Sequence, residues 1–451
     1  MRSGPSAHLH GSVLSSRTFA ALFVVALSAR VAWGLFRIVR VGGGLEFPDE
    51  EGYWNLAASL ARHGELVGEH GFRAMRMPLY PGFLSAFTHF DHGIGAAKAA
   101  HWLIGSATAV LTGVLGARIG GRRVGTIAGL IVAIDPFQVF FSSLLLTETP
   151  FVAALVGFGL AMWPLVDRAG ETYPAAESAG ETRPTGDAAR RPATGSPGDC
   201  RPQWLGWAIA GVVGAICVYL RESSLGLVVA ALMMAAVGRR HGRGRAFIGA
   251  IVAVALIVAS LAPWAIRNNR VTGQTCWLTN RGGISLYDGV GPQAPGASNL
   301  ADIKQMSAVR GLSETEWNEY FRRESWRFIR DEPGRILRLA FIKMARTWNP
   351  LPNAESYQSR LFRVVSAGWM LPIYVLTVVG VVNVWSDRKT AIALLFPAAY
   401  FTLVHAVFVG SMRYRLPAMP FLEILAAIGL AAIIRLQKAR PARDPEWRPI
   451  P

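Results

Sequence analysis

The sequence predicts an all-α, polytopic membrane protein, and three observations carry that reading. Of the 451 residues 52% are hydrophobic and only 17% charged, with a mean hydropathy of +0.31. The apolar residues fall in runs of roughly 20, each long enough to cross the hydrocarbon core as a helix. Basic residues cluster in short segments between those runs, where the positive-inside rule places cytoplasmic loops. That placement excludes the nucleic-acid class that a net charge of +17 would otherwise suggest, because no basic segment is long enough to fold as a soluble face. Cys200, Cys217 and Cys276 fall in a linker, a span and a loop, with neither a disulfide nor a metal-ligand pattern.

Taken in order, residues 1–17 form a polar cytoplasmic tail. The first span, about Thr18 to Val39, is too long for a signal-peptide core and lacks a cleavage site, so it reads as an uncleaved anchor. Arg30 interrupts it, and a charge there must snorkel or find a partner. Residues 42–96 make a first outer loop that opens with Phe47-Pro48-Asp49-Glu50-Glu51-Gly52-Tyr53. Tyr53, Leu56, Ala57, Leu60 and Ala61 follow at helical spacing, predicting an amphipathic helix that ends at His63-Gly64. Asp49 is the expected N-cap, with Glu50 and Glu51 as first-turn acids. A short apolar helix, Gly82 to Phe90, is too short to span.

Further spans are expected at about 97–117, 124–140, 144–166, 204–220, 225–237 and 246–264. Residues 18–264 thus form a transmembrane core. It is interrupted at 167–203 by a Pro-, Gly- and Ser-rich cytoplasmic linker that cannot bury a core. Residues 265–363 form a large outer loop with two readable helices. One opens on the capping box Ser313-Glu314-Thr315-Glu316 and carries Trp317, Tyr320, Phe321, Phe328 and Ile329 on one face. The other starts at Pro333, with Ile336, Leu337, Ala340, Phe341, Met344, Ala345 and Trp348 apolar and Arg335, Arg338, Lys343 and Arg346 elsewhere, a pattern suited to a membrane interface. The C-terminal spans, within 364–434, fall at about 364–384, 390–409 and 418–434, and 435–451 is a basic cytoplasmic tail. The total is about ten spans with both ends inside.

This topology gathers Asp49, Glu50, Arg76, Asp135, Glu148, Arg221, Arg267, Arg413 and Arg415 at the outer surface. A coupled transporter would instead place acids or histidines near the midplane, and His405 is the main candidate there, more simply read as a packed histidine. From Arg267 to Arg363 there are 15 Arg and Lys against 9 Asp and Glu, against the positive-inside trend. Either these arginines bind a lipid phosphate, which arginine grips in bidentate fashion, or they merely contact headgroups.

Asp49-Glu50-x-x-Tyr53-x-x-x-Ala57 after the first span resembles the acidic first-loop motif of the GT-C fold membrane glycosyltransferases, the protein O-mannosyltransferase and aminoarabinose-transferase-like superfamily. Arg76-Met77-Pro78-Leu79-Tyr80 resembles that superfamily's Lys-Pro-Pro-Leu-Tyr segment, with Arg in place of Lys and Met77 in place of the first Pro. Asp135-Pro136, Thr147-Glu148-Thr149-Pro150, Pro263-Trp264-Ala265-Ile266-Arg267-Asn268 and Arg413-Tyr414-Arg415-Leu416-Pro417 are similar to further segments, in the same order.

The resemblance implies a GT-C fold in a bacterial inner membrane and an inverting transfer of sugar from a polyprenyl-phosphate donor at the extracytoplasmic face. The acceptor would be a glycan, lipid or protein. Asp49 would be the general base, Glu50 would cap the helix or assist, and Glu148 would orient the acceptor or sugar, or else be a plain helix N-terminal acid before Pro150. Arg76, Arg413, Arg415 and Arg267 would hold the donor phosphate, and Tyr53, Tyr80, Asp135 and Tyr414 would line the substrate site. No cofactor is implied, and the lack of an Asp-x-Asp near Asp49 favours a metal-independent reaction. The rivals are a lipid or polysaccharide transporter and a ligase or polymerase using a diphosphate-linked glycan.

Overall fold

The computed structural model describes residues 14–167, 203–239, 242–354 and 357–439. The expectations for the N-terminal tail, the 167–203 linker and the C-terminal tail fall almost wholly outside them. Among the described residues every regular element is helical. In chain order these are α1 (Ser16–Val41), α2 (Pro48–His63), α3 (Leu79–Ser85), α4 (Gly93–Gly120), α5 (Arg122–Ile134), α6 (Pro136–Phe141), α7 (Glu148–Asp167), α8 (Gln203–Leu220) and α9 (Leu225–Val237). There follow α10 (Arg243–Thr272), α11 (Gly282–Val290), α12 (Leu300–Lys304), α13 (Glu314–Asp331), α14 (Pro333–Trp348), α15 (Arg360–Val384), α16 (Arg388–Val407) and α17 (Met419–Ala439).

Nine of the ten predicted spans coincide with one helix each, and the tenth is covered by two. Seven are long and apolar enough to cross a membrane: α1, α4, α7, α10, α15, α16 and α17 with its lead-in turn from Met412. The chain is therefore an integral membrane protein. The other three are shorter. α8 and α9 are apolar but have 18 and 13 residues, and α9 rises only about 20 Å. The predicted span 124–140 is broken in two, because Pro136 ends α5 and starts α6 while the Asp135 carboxylate accepts the Phe137 amide at 2.7 Å.

α17 is the centre of the bundle. Of its membrane-length stretch 72% is buried, against 22% for α1 and α15, which face outward. It meets α15 closely enough that a Cβ at Gly380 would come within 1.9 Å of the Leu425 carbonyl, and one at Gly429 within 2.2 Å of the Leu376 carbonyl. Small residues at such crossings let backbones approach where lipid offers no hydrophobic drive between helices. Arg30 finds the partner its position demands, donating from Nη1 to the carbonyls of Ala26 and Ala133, both at 3.0 Å.

Two connections between spans fold against one another at one end of the bundle. The face of α13 predicted as aromatic is buried at Trp317 and Phe321, packed with Phe72 of the first loop and with Ile284 and Tyr287 of α11. Its predicted capping box forms, Ser313 accepting from and Glu316 closing onto the opposite backbone. On α14 Leu337 and Phe341 of the predicted apolar face are exposed, compatible with a membrane interface, while Leu339, Lys343 and Thr347 face inward. Lys343 Nζ donates to the carbonyls of Ala406 and Val407. The reason is the C-terminus of α16, whose last carbonyls lack intrahelical partners and attract a cation. The short apolar helix also shifts, running Leu79–Ser85 rather than from Gly82.

Replacing Gly380 by leucine inserts a side chain where Leu425 leaves no space. The expected outcome is a loss of roughly 1–3 kcal/mol, the usual cost of overpacking, read as a lower midpoint in detergent thermal unfolding. Gly82→Leu on α3, where a Cβ meets nothing within 4 Å, serves as the tolerant control.

Candidate active site

The site is built where α7 starts, α8 ends and the lead-in to α17 begins, with α2 laid beside them. α2 begins two residues earlier than expected. Phe47 is the N-cap and Pro48 is N1, since proline's fixed φ is preorganised for the first helical position. That corrects the capping role expected of Asp49. Glu50, at N3, takes it instead: its Oε2 accepts from the amides of Glu46 and Phe47, and its Oε1 from Leu145 at 2.7 Å. Wholly buried and saturated by amides, Glu50 is a structural tie between α2 and the segment before α7. Burial pushes its carboxyl above the usual range in spite of those bonds. α2 ends as expected, with Gly64 in the left-handed region at φ 68°.

Relieved of capping, Asp49 faces the bundle and both its oxygens are taken by arginine. Arg76 Nη2 donates to Oδ1 at 2.7 Å and Arg413 Nη1 to Oδ2 at 3.0 Å. Arg413 Nε stands 3.2 Å from Glu148 Oε1, which Arg221 Nη2 also meets at 3.2 Å. A continuous chain of ions results: Arg76, Asp49, Arg413, Glu148, Arg221. Aromatic rings carry the guanidinium faces. Arg76 lies 4.5 Å from the Tyr53 ring and donates to the Tyr53 hydroxyl at 3.0 Å. Arg413 and Arg221 lie 5.1 and 5.4 Å from the Tyr414 ring, which stacks on His405 at 3.8 Å.

The electrostatics follow from that clamp. Burial would raise the Asp49 carboxyl, but the charges of Arg76, Arg413 and Arg281 outweigh it and hold the group well below the ordinary carboxylate range. Burial likewise opposes the Arg76 cation, and Tyr53 and Asp49 raise it above its usual value. Arg281 is the exception. Burial first, then the neighbouring Arg76, lowers it, with Asp49 the chief opposing influence.

Arg281 is a site residue that sequence reasoning missed, because it precedes a nine-residue helix with no motif around it. Its place is fixed by a long-range grip on the first loop. The Glu314 carboxylate accepts from the amides of Arg73 and Ala74, and the Ala74 carbonyl accepts from the Asn280 amide at 2.9 Å. One main-chain segment thereby presents Arg76 and Arg281 to the same carboxylate.

Glu148, expected in the site, is 1% exposed and enclosed by its two arginines. Other expected members lie elsewhere. Asp135 is buried as the cap of α6 beside Glu423, away from the ion chain. Arg415 Nη1 donates to the carbonyls of Thr347 and Asn349 and to the Tyr374 hydroxyl, and its guanidinium covers Phe137. Arg267 serves the first loop, donating to the Arg73 carbonyl from beside Trp264. Tyr80 forms a second layer, edge-on to Tyr53 at 4.9 Å with its hydroxyl on His101 Nε2 at 3.2 Å. Among the described residues no group of three or more His, Cys, Asp or Glu is arranged to hold a metal ion.

Comparison with known proteins gives no match to any family profile and none to any curated protein. Among solved structures, the chain is similar to an archaeal oligosaccharyltransferase, AglB from Archaeoglobus fulgidus, in complex with an inhibitory peptide and a dolichol-phosphate. The TM-score is 0.49 at 12% identity, over 94% of this chain and 52% of that one. The apo form of the Archaeoglobus fulgidus oligosaccharyltransferase gives 0.45 at 13% identity, over 94% and 52%. The same enzyme tethered to an acceptor peptide containing the NVT sequon gives 0.47 at 11%, over 94% and 50%. The chain spans about half the length of these structures.

A carboxyl held below its unfolded value near 3.9 stabilises the fold above that pH and loses the contribution as pH falls toward the folded value. Thermal unfolding of the native chain should therefore weaken between about pH 5 and about pH 3. Asp49→Asn, less stable at neutral pH because two arginines lose their partner, should show a smaller acid decline. Parallel declines in both proteins would uncouple Asp49 from the clamp.

Proposed function

We propose that the protein is an inverting membrane glycosyltransferase of the GT-C fold. It would transfer a sugar from a polyprenyl-phosphate donor to a glycan, lipid or protein acceptor at the extracytoplasmic face of a bacterial inner membrane. In this reading all ten predicted spans cross the membrane, one of them as the broken pair α5 and α6, and residues 265–363 lie on the side of the site. One observation carries the proposal: a carboxylate at a membrane end of the bundle with both oxygens held by arginines from opposite ends of the chain.

That clamp states what the site lacks. Arg76, Arg413, Arg221 and Arg281 gather around Asp49, Glu148 and Glu222, an excess of one positive charge that a phosphodiester monoanion balances. A carboxylate gripped by two guanidinium groups is a poor base, because its basicity falls with its pKa. Phosphate competes for the same donors with matching fork geometry. A donor phosphate on Arg76 and Arg413 would draw them from Asp49, raise its pKa and leave an oxygen free to take a proton.

The reaction then balances simply. Asp49 accepts the proton of the acceptor hydroxyl while the acceptor's oxygen bonds to the anomeric carbon. The bond from that carbon to the phosphate oxygen breaks on the opposite face, inverting the configuration. The arginines stabilise the charge that develops on the departing phosphate, so no general acid is required, unlike the paired carboxylates of glycoside hydrolysis. Glu148 would act as a positioning residue, aligning Arg413 and Arg221. Tyr53 and Tyr414 would support the guanidinium planes.

The test uses the purified full chain with radiolabelled polyprenyl-phosphate sugars, hexose and pentose, and a membrane extract as acceptor. Asp49→Asn should lower transfer by about 10²- to 10⁴-fold while donor binding persists. Arg76→Gln should weaken donor binding, seen as a raised KM. Undiminished transfer by Asp49→Asn would refute the general base, and lipid export from vesicles without any covalent product would replace the enzyme with a transporter.

A further inference from the structure

A cavity of about 490 Å³ lies between α7, α9 and α16, walled by Leu155, Met162, Trp163, Ala231 and Ile392 with Lys389 among its lining. It falls in the size range of small-molecule pockets, roughly 300–1,000 Å³, yet belongs to the half of the bundle remote from the ion chain. Two buried rings separate them. Phe151 and Phe401 meet edge to face at 6.0 Å, and Arg221 of the ion chain stands 5.6 Å from the Phe151 ring. α16 is tied to the start of α9 through Tyr400, which lies beside Gly226. The Tyr400 hydroxyl donates to the Ser223 carbonyl at 2.7 Å at the head of α9, and the space opens between the helices from there toward Val237 and Lys389.

We infer that this cavity is a binding site for one phospholipid with an anionic headgroup, its acyl chain between α9 and α16 and its phosphate on Lys389. A hollow so apolar does not hold water, whereas a hydrocarbon chain from the surrounding bilayer fills it with favourable contacts. Lys389 is exposed, two residues into the turn Asp387-Arg388-Lys389 that opens α16. An ammonium at the rim of an apolar slot complements a phosphate whose tails lie in the slot. The site stands apart from the proposed reaction, so its fate and that of the reaction are read separately.

The full chain in phosphatidylcholine nanodiscs, titrated with bromine-labelled lipids, tests this through quenching of Trp163, taken as the signal lost in Trp163→Phe. Brominated phosphatidylglycerol should quench Trp163 at about fivefold lower mole fraction than brominated phosphatidylcholine, the scale of one basic residue at an anionic surface. Lys389→Gln, a surface change that leaves the fold intact, should remove that preference. Ala231→Phe, which occupies the slot, should abolish quenching by both lipids. Equal quenching by the two headgroups in the native chain would overturn the inference. So would quenching that survives Ala231→Phe, or displacement of phosphatidylglycerol from Trp163 by polyprenyl phosphate at equal mole fraction.

Discussion

The rest of this structure depends on the need to compensate one carboxylate. Asp49 is held by Arg76 in its own loop and by Arg413 more than 360 residues away, and Arg413 continues to Glu148 and Arg221. Charges withdrawn from water are tolerated only when each has a partner in good geometry. The first loop, the start of α7, the end of α8 and the lead-in to α17 must therefore converge. The adjacent acid answers a different demand: Glu50 is hydrogen-bonded by amides, with the charges of Lys98 and Arg37 nearby, and so locks α2 onto Leu145. Two neighbouring carboxylates thus divide the work, one holding the backbone in place and the other facing the arginines.

The two ends of the bundle differ in character for the same reason. At the end bearing the ion chain, guanidinium groups rest on Tyr53 and Tyr414 and the connecting loops fold into a small aromatic core around Phe72, Trp317 and Phe321. Beyond Phe151 and Phe401 the walls turn apolar. Two buried arginines find internal partners for part of their donor sets, as a bilayer favours: Arg30 two carbonyls, and Arg415 two carbonyls and a tyrosine hydroxyl.

An arginine that is short of hydrogen-bonding carboxylates is informative in such a setting. Arg281 faces Arg76 and lies near Asp49, and its position comes from the Glu314 and Asn280 contacts on the Ala74 backbone. The large loop is therefore more than a cover. It holds the first loop in register and adds a positive charge to the site.

Sequence alone determined the elements whose cause is local. The apolar runs set the helices, Ser313 and Glu316 set the start of α13, and Gly64 set the end of α2. The motif residues Asp49, Arg76, Glu148 and Arg413 were legible as candidates because the predicted topology put their motifs, together with Asp135, Arg267 and Arg415, at one membrane face. What tertiary structure decided is which charges face each other. Pro48 moved the cap from Asp49 to Phe47 and Glu50, and the end of α16 drew Lys343 inward. Carbonyls and rings took Arg415 and Arg267 away from the site, while the loop contacts brought in Arg281. A helix start or a span follows from neighbours within a turn or two, and the pattern of residues records it. The partner of a buried charge is chosen by groups hundreds of residues distant, which only the packed bundle brings within reach.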